Sequence, residues 1–378
     1  MKIAMFGQKR IPSREGGVEI VVEELSTRMA MAGHDVTCYN RRGHHVSGSE
    51  YDTKEKKEYK NVRIKSVPTI EKKGLAAVSS SFFAALCSAF GGYDVVHIHA
   101  EGPAAFCFIP KIFRKKVIVT VHGLDWQREK WKAGFGSKYI HFGEKMAVKH
   151  ADEIIVLSRE VQKYFKDTYG RKTRYIPNGV TRPEKIEADI IEKKFDLKKD
   201  SYILYLGRIV PEKGEHYLIE AFKDIETNKK LVIAGGTSDT DEYMDKLKQM
   251  AEQDDRIVFT GFVQGQLLQE LYSNAYVYVL PSDLEGMPLS LLEAMSYGNC
   301  CLTSDIKECT EVVGNKAVAF KKSDVKDLQD KLQKLCDDSK LVDNYKDQAA
   351  DYICKKYDWN EIVDKTLQLY KTLQLYRR

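Results

Sequence analysis

The sequence predicts an α/β protein of two doubly wound parallel-sheet domains in tandem. Three observations carry this. Short apolar runs alternate with helix-patterned segments, and the alternation restarts after a charged, weakly patterned stretch at 181–200. Runs such as 276–280 are apolar throughout, as in strands covered on both faces. The length, 378 residues, suits about two domains. The expected boundaries are 1–182, 183–358 and a last helix at 359–378.

In the first half, residues 3–6 read as a strand. A basic loop, 7–17, leads into a helix over 18–32, which Gly33 stops. Strands follow at 35–39 and 62–67, with a polar loop at 41–60. A helix is expected over 75–90, then strands at 94–98 and 116–121 around a helix at 103–113. A helix at 137–150, a strand at 153–157, a helix at 159–167 and a strand at 174–176 complete this half. In the second half, strands are expected at 202–206, 230–234, 256–260, 276–280, 300–303 and 317–320. Helices are expected at 215–222, 241–251, 264–272 and 289–297, and the chain reads as helical after Asp324. Two such domains in tandem form a cleft between the carboxyl edges of their sheets, where ligands of this class of fold bind.

Composition bounds the function. Hydrophobic residues make up 43% of the chain, as in an ordinary globular protein. The N-terminus lacks the pattern of a signal peptide, and 75–90 is too short to span a bilayer. Eight cysteines with no CxxC pair and no metal-ligand spacing, most of them in apolar surroundings, point to a reducing, cytoplasmic setting. The net charge is +5, but residues 1–180 hold 31 Lys+Arg against 19 Asp+Glu. A basic first half beside an acidic second half suits an anionic membrane surface, a lipid-linked diphosphate or nucleic acid, or is simply a solvated face. For nucleic acid the aromatics would have to interleave with the basic runs, and they do not.

The segment PSDLEGMPLSLLEAMSYG, 281–298, carries the strongest chemical signal. It breaks a buried strand, places Pro288 where a helix begins, and stops that helix at Gly298. A helix N-terminus at the carboxyl edge of a sheet attracts anions. Glu285 and Glu293, with seven residues between them, suit sugar or ribose hydroxyls, because a carboxylate only accepts hydrogen bonds. Arg208 and Lys213 leave the same sheet edge and can grip a diphosphate leaving group. In the first half, Gly16 and Gly17 precede a helix and let backbone N–H groups approach phosphate. A dinucleotide turn would need G-x-G-x-x-G, and the glycines stand at 7, 16 and 17. His122, at a strand end, can donate to a sugar hydroxyl or be structural. Asp125 is a further candidate, and Trp126 and Trp131 either stack on an acceptor or pack their loop. His97 and His99 have no third ligand at sensible spacing and read as packing or acceptor-side groups.

Taken together, Gly16–Gly17, His122, Pro177–Asn178–Gly179–Val180, Gly207–Arg208 with Pro211–Glu212–Lys213–Gly214, Gly261–Phe262–Val263 and the Glu285/Glu293 pair resemble the retaining GT-B glycosyltransferases of family four. The likeness runs along nearly the whole chain. The segments REGGVE (14–19) and TVHGLDWQREKW (120–131) look like those of bacterial surface-polysaccharide enzymes, including rhamnosyltransferases.

The resemblance implies two Rossmann-like domains, with the last helix crossing back to the first. Its implied donor site comprises Gly16, Gly17, Phe262, Val263, Gly286, Met287, Pro288, Leu289 and Glu293. The implied catalytic groups are His122, Arg208, Lys213 and Glu285. The acceptor side would include Glu19, Asp125, Trp126 and Trp131. It further implies a nucleotide-diphosphate sugar as co-substrate, no metal and no NAD. The acceptor would be a saccharide, carried on a polyprenyl diphosphate at the inner membrane face. A nucleotide-sugar epimerase or another GT-B enzyme, such as a phosphorylase, is the rival enzyme reading.

Overall fold

The computed structural model describes residues 1–43, 56–72, 74–127, 135–237 and 240–375. The chain divides into two compact units, residues 1–178 with 359–378, and residues 179–358.

The first unit begins with β1 (Lys2–Phe6), α1 (Gly17–Met31), β2 (Asp35–Arg41), β3 (Glu58–Tyr59), β4 (Val62–Val67) and α2 (Leu75–Phe90). Then come β5 (Val95–His99), α3 (Glu101–Ala104), α4 (Phe108–Ile112), β6 (Lys116–Val121), α5 (Phe135–His150), β7 (Glu153–Val156), α6 (Arg159–Tyr169) and β8 (Arg174–Tyr175). The strands form one sheet in the order β3-β4-β2-β1-β5-β6-β7-β8, parallel except for the β3–β4 pair. Strands β5 and β6 are buried almost throughout, which is why they read as unbroken apolar runs.

The second unit contains α7 (Ile190–Phe195), β9 (Tyr202–Leu206), α8 (Glu215–Lys223), β10 (Lys230–Ala234), α9 (Asp241–Ala251), β11 (Ile257–Gly261) and α10 (Gly265–Asn274). It continues with β12 (Val277–Leu280), α11 (Leu289–Ser296), β13 (Cys300–Ser304), α12 (Lys307–Val313), β14 (Val318–Phe320), α13 (Val325–Asp337) and α14 (Ser339–Lys356). Its parallel sheet runs β11-β10-β9-β12-β13-β14.

The last helix, α15 (Trp359–Leu375), belongs to the first unit. Its Tyr370 is fully buried and its hydroxyl lies 2.6 Å from His97 Nδ1, in the middle of β5. Asn360 Oδ1 accepts from Arg28 Nη1 of α1 at 2.8 Å.

Several expectations need correction. Residues 181–200 are more than a connector: α7 forms there, with Ile191 and Leu197 fully buried. Glu270 of α10 caps it, accepting from the N–H groups of Asp189 and Ile191, each at 3.0 Å. The helix expected over 103–113 is two short helices, α3 and α4. The polar loop expected at 41–60 ends in the short strand β3, and residues 44–55 lie outside the described residues. Helix α2 exists, but its small face is the buried one: Ser80, Ser81, Ala84, Ala85, Ser88 and Ala89 pack inward. Ser80 and Ser81 satisfy their buried hydroxyls on the carbonyls of Ala76 and Ala77, at 2.7 and 2.6 Å. Phe82 and Phe90 are left exposed, at 38% and 72%. All eight cysteines are free, and Cys87 is exposed rather than lodged in an apolar core. Among the described residues no helix is long and apolar enough to cross a membrane.

Candidate active site

In an open parallel sheet, ligands bind where the strand order reverses. In the second unit that point lies between β9 and β12, because the chain winds outward from β9 through β10 to β11 and returns to β12. The two loops leaving this point carry Arg208, Lys213 and Glu285, so the fold brings together residues far apart in sequence.

Local structure binds these loops to each other. Pro211–Lys213 forms a single 3-10 turn, and Gly214 follows it at φ +73°. A Cβ on Gly214 would lie 2.2 Å from the carbonyl oxygen of Pro281, so the two loops touch through backbone. Asp283 N–H donates to Glu212 O at 2.9 Å, which staples the turn to the loop after β12. Behind them, Gly235 sits at φ +151°, where a Cβ would fall 1.7 Å from Gly207 O. Both glycines let backbone segments approach closer than any side chain permits.

On this frame the Lys213 ammonium pairs with Glu285, whose Oε1 also accepts from Ser282 Oγ at 2.7 Å. The two side chains are largely buried, at 15% and 6% exposure. A buried pair repays its desolvation only when its remaining hydrogen bonds are met. Ser282, itself fully buried, supplies one of them. An ammonium has three donors, so the pairing is compatible with a phosphate contact as well. Arg208 is half-buried at the start of the same loop, and its carbonyl accepts from Tyr205 Oη at 3.0 Å.

Gly286, Met287 and Pro288 are buried and lead into α11, whose first residue is Leu289. Glu293, on α11, accepts from the Tyr272 hydroxyl at 3.2 Å, and Tyr272 stacks on Tyr297 with centroids 5.2 Å apart. That leaves the Glu293 carboxylate oriented by a packed aromatic pair. Phe262 and Val263 follow β11, two strands from β9, roughly 10 Å across the sheet. Val263 is buried and Phe262 half-buried.

In the first unit, the strand order reverses between β1 and β5. Gly7, at φ +121°, passes against β5 so closely that a Cβ would lie 2.0 Å from His99 O. His122, beyond β6, is half-buried with Nε2 3.1 Å from His99 Nδ1. His97 and His99 are fully buried, and burial holds both in the neutral form, His97 down to about 3. His97 Nε2 lies 2.7 Å from Thr120 Oγ1.

The acceptor-side expectations fare differently. Glu19 is only 5% exposed, and its Oε1 accepts from Lys9 N–H at 2.8 Å; it anchors the loop before α1. Gly16 caps α1, and Gly17 opens it on an exposed face. Asp125 N–H donates to the buried Glu101 carboxylate at 2.8 Å. Trp126 stacks on His141 of α5 with ring centroids 4.8 Å apart. Trp131 lies outside the described residues. Among the described residues no group of three or more His, Cys, Asp or Glu is placed to hold a metal ion.

Two family comparisons match almost the whole chain between them. The family described as Glycosyltransferase Family 4 matches residues 15–182, and Glycosyl transferases group 1 matches residues 187–352. An uncharacterized glycosyltransferase of Methanocaldococcus jannaschii is 25% identical over 98% of each chain. The UDP-Gal:alpha-D-GlcNAc-diphosphoundecaprenol alpha-1,3-galactosyltransferase of Escherichia coli is 29% identical over 74% of this chain and 75% of its own. Among solved structures, sucrose-phosphate synthase of Thermosynechococcus elongatus superposes with a TM-score of 0.83 at 21% identity, covering 99% of each chain. Anabaena HepE, solved with UDP-glucose, superposes at 0.80 with 16% identity, over 98% of this chain and 100% of its own. The chain belongs to the group 1 and family 4 glycosyltransferases and has their GT-B fold.

Proposed function

We propose that this glycosyltransferase is a retaining, metal-independent enzyme that moves a hexose or 6-deoxyhexose, rhamnose included, from a nucleoside diphosphate to a saccharide acceptor. The acceptor is carried on a polyprenyl diphosphate during synthesis of a surface polysaccharide, at the inner membrane face. The observation that carries the donor half is the Lys213–Glu285 pair, stapled beside Arg208 at the β9/β12 reversal point. The relative named for a diphosphoundecaprenol acceptor supports the acceptor half.

The residues divide the work as follows. Arg208 and Lys213 hold the diphosphate and stabilise the charge that grows on it as the sugar leaves. The N-terminus of α11, with Gly286 to Leu289, binds the same phosphates through backbone N–H groups. Glu285 holds donor-sugar hydroxyls, Glu293 the ribose, and the chain around Phe262 and Val263 the base. Gly16 and Gly17 offer backbone N–H groups to the donor diphosphate, and His122 contacts the donor sugar. The acceptor oxygen bonds to the anomeric carbon on the face from which the diphosphate departs. The electron pair of the breaking C–O bond stays on the phosphate, which takes the acceptor's proton.

A nucleotide-sugar panel read by thermal shift and then by transfer assay tests this directly. One donor should stabilise the protein, transfer should need an acceptor, and EDTA should leave the rate unchanged. Donor turnover without acceptor, a sugar adduct on Glu285 or Glu293, or loss of activity in chelator would each overturn it.

For the membrane part, the supporting feature is an exposed aromatic cluster. Phe90 and Phe113 touch at 4.6 Å, Ile112 is 70% exposed beside them, and Arg114, Lys115 and Lys116 follow. Aromatic surface beside basic side chains suits an anionic bilayer, each cation adding about 1 kcal/mol near it. Flotation with phosphatidylglycerol vesicles should capture the protein at low salt, and Phe90→Ser/Phe113→Ser should abolish capture. Wild-type protein that stays off the vesicles would remove the membrane from the reading.

A further inference from the structure

We propose that Glu215 is a positioning residue for the diphosphate-holding loop: through the Tyr205 hydroxyl it decides whether the Arg208 carbonyl is tied down. This rests on the reading of Arg208 and Lys213 as the diphosphate clamp. Glu215 opens α8 directly after that loop and is fully buried. Its Oε1 lies 2.7 Å from Tyr205 Oη and 3.4 Å from Val210 N, and its Oε2 lies 3.1 Å from Tyr243 Oη. Tyr205 Oη also lies 3.0 Å from Arg208 O. A phenol has one proton, so Tyr205 can donate to Glu215 or to Arg208, but not fully to both.

The choice follows the charge on Glu215. As a carboxylate, it is the stronger acceptor and takes the Tyr205 proton, since a charged acceptor roughly doubles the strength of the bond. Arg208 O then loses that donor. As a neutral acid, Glu215 gives its own proton to Tyr205 Oη, and the phenol proton turns to Arg208 O. Tyr243 Oη faces Oε2 at 3.1 Å and donates to it when His216 Nδ1 carries the proton of that ring. The groups facing Glu215 are Tyr205 from β9, Tyr243 from α9 and Lys213 from the 3-10 turn. His216 lies behind, with Nδ1 2.7 Å from Tyr243 Oη, and Tyr278 and Glu285 act on Tyr205. Burial pushes the Glu215 carboxyl up to about 8, against opposing hydrogen bonds from Tyr205 and Tyr243 and the nearby charge of Lys213. Both phenols are raised by burial and stay protonated throughout this range. Near pH 7 the neutral acid dominates and the loop is tied.

The experiment is calorimetric titration of UDP, GDP and dTDP into wild type, Glu215→Gln, Tyr205→Phe and Arg208→Ala, between pH 6.5 and 9.5. Wild-type affinity for the nucleotide that binds should fall about fivefold as the pH rises through 8, the worth of one ordinary hydrogen bond. Glu215→Gln mimics the neutral acid and should bind as wild type does at pH 7, with no slope. Tyr205→Phe should bind about fivefold more weakly throughout, also without slope.

Melting curves add a readout independent of nucleotide. A carboxyl raised in the folded state stabilises fully below its unfolded value, near 4.5, and that stability is lost as pH rises to about 8. The Tm of Glu215→Gln should therefore gain on wild type between pH 5 and 9. A flat wild-type affinity profile, a Glu215→Gln profile with the wild-type slope, or a constant Tm gap overturns the role of Glu215 and leaves the clamp standing. Unchanged affinity in Arg208→Ala, or no binding of any of the three nucleotides, overturns the clamp and this inference with it.

Discussion

Lys213→Ala should lower turnover by roughly 10²- to 10³-fold, the usual cost of removing one preorganised donor from a developing negative charge. Arg208→Ala should fall in the same range. For Lys213 the loss of charge has a second consequence. Glu285 is almost wholly buried and accepts from Lys213 and Ser282. Without the ammonium it is a buried carboxylate lacking its cation, at a cost of about 3 kcal/mol in stability. Lys213→Ala/Glu285→Gln separates the two effects. The double variant should recover most of the lost Tm and none of the lost turnover. A folded Lys213→Ala protein that turns over within a few-fold of wild type would show that the diphosphate is held elsewhere.

Gly235→Ala should unsettle the site without touching any charged group. The new methyl would fall on Gly207 O, 1.7 Å away, at a backbone φ of +151°. Neither side can yield cheaply, because β9 and β10 are paired in register up to Ala234 and Leu206. Strain of this kind costs about 3 kcal/mol. It should appear as a fall in Tm together with weaker nucleotide binding, since Gly207 leads straight into Arg208. Unaltered Tm and affinity would mean that the two backbones are not in contact in solution.

The parallel strands were legible because burial on both faces removes polar residues from them, as in β5, β6 and β12. The loop-and-helix unit at 281–298 was legible for a different reason: Pro288 and Gly298 punctuate it, and the observed α11 ends at Ser296 with Gly298 at φ +71°. What escaped depends on long-range contact. Helix α7 looks like a charged connector because only Ile191 and Leu197 anchor it, and its cap comes from Glu270, some eighty residues on. The inward face of α2 is built of serine and alanine, which no apolar stripe announces. The stacking of Trp126 on His141 had no sequence signal, because it joins two elements fifteen residues apart. The Tyr205–Glu215–Tyr243 cluster has no motif at all, since three separate elements deliver it to one place.

The placement of α15 bears on how the polypeptide matures. Residues 179–358 can settle as soon as they emerge from the ribosome, because their sheet is assembled from one continuous segment. The first sheet is likewise one continuous segment, but the docking of α15 on its unit must wait. His97 meets Tyr370 only after the intervening 272 residues have been translated. During that interval the surface destined for Trp359–Leu375 is open to water and to chaperones. The packing of the first unit is therefore completed only by the last segment to be synthesised.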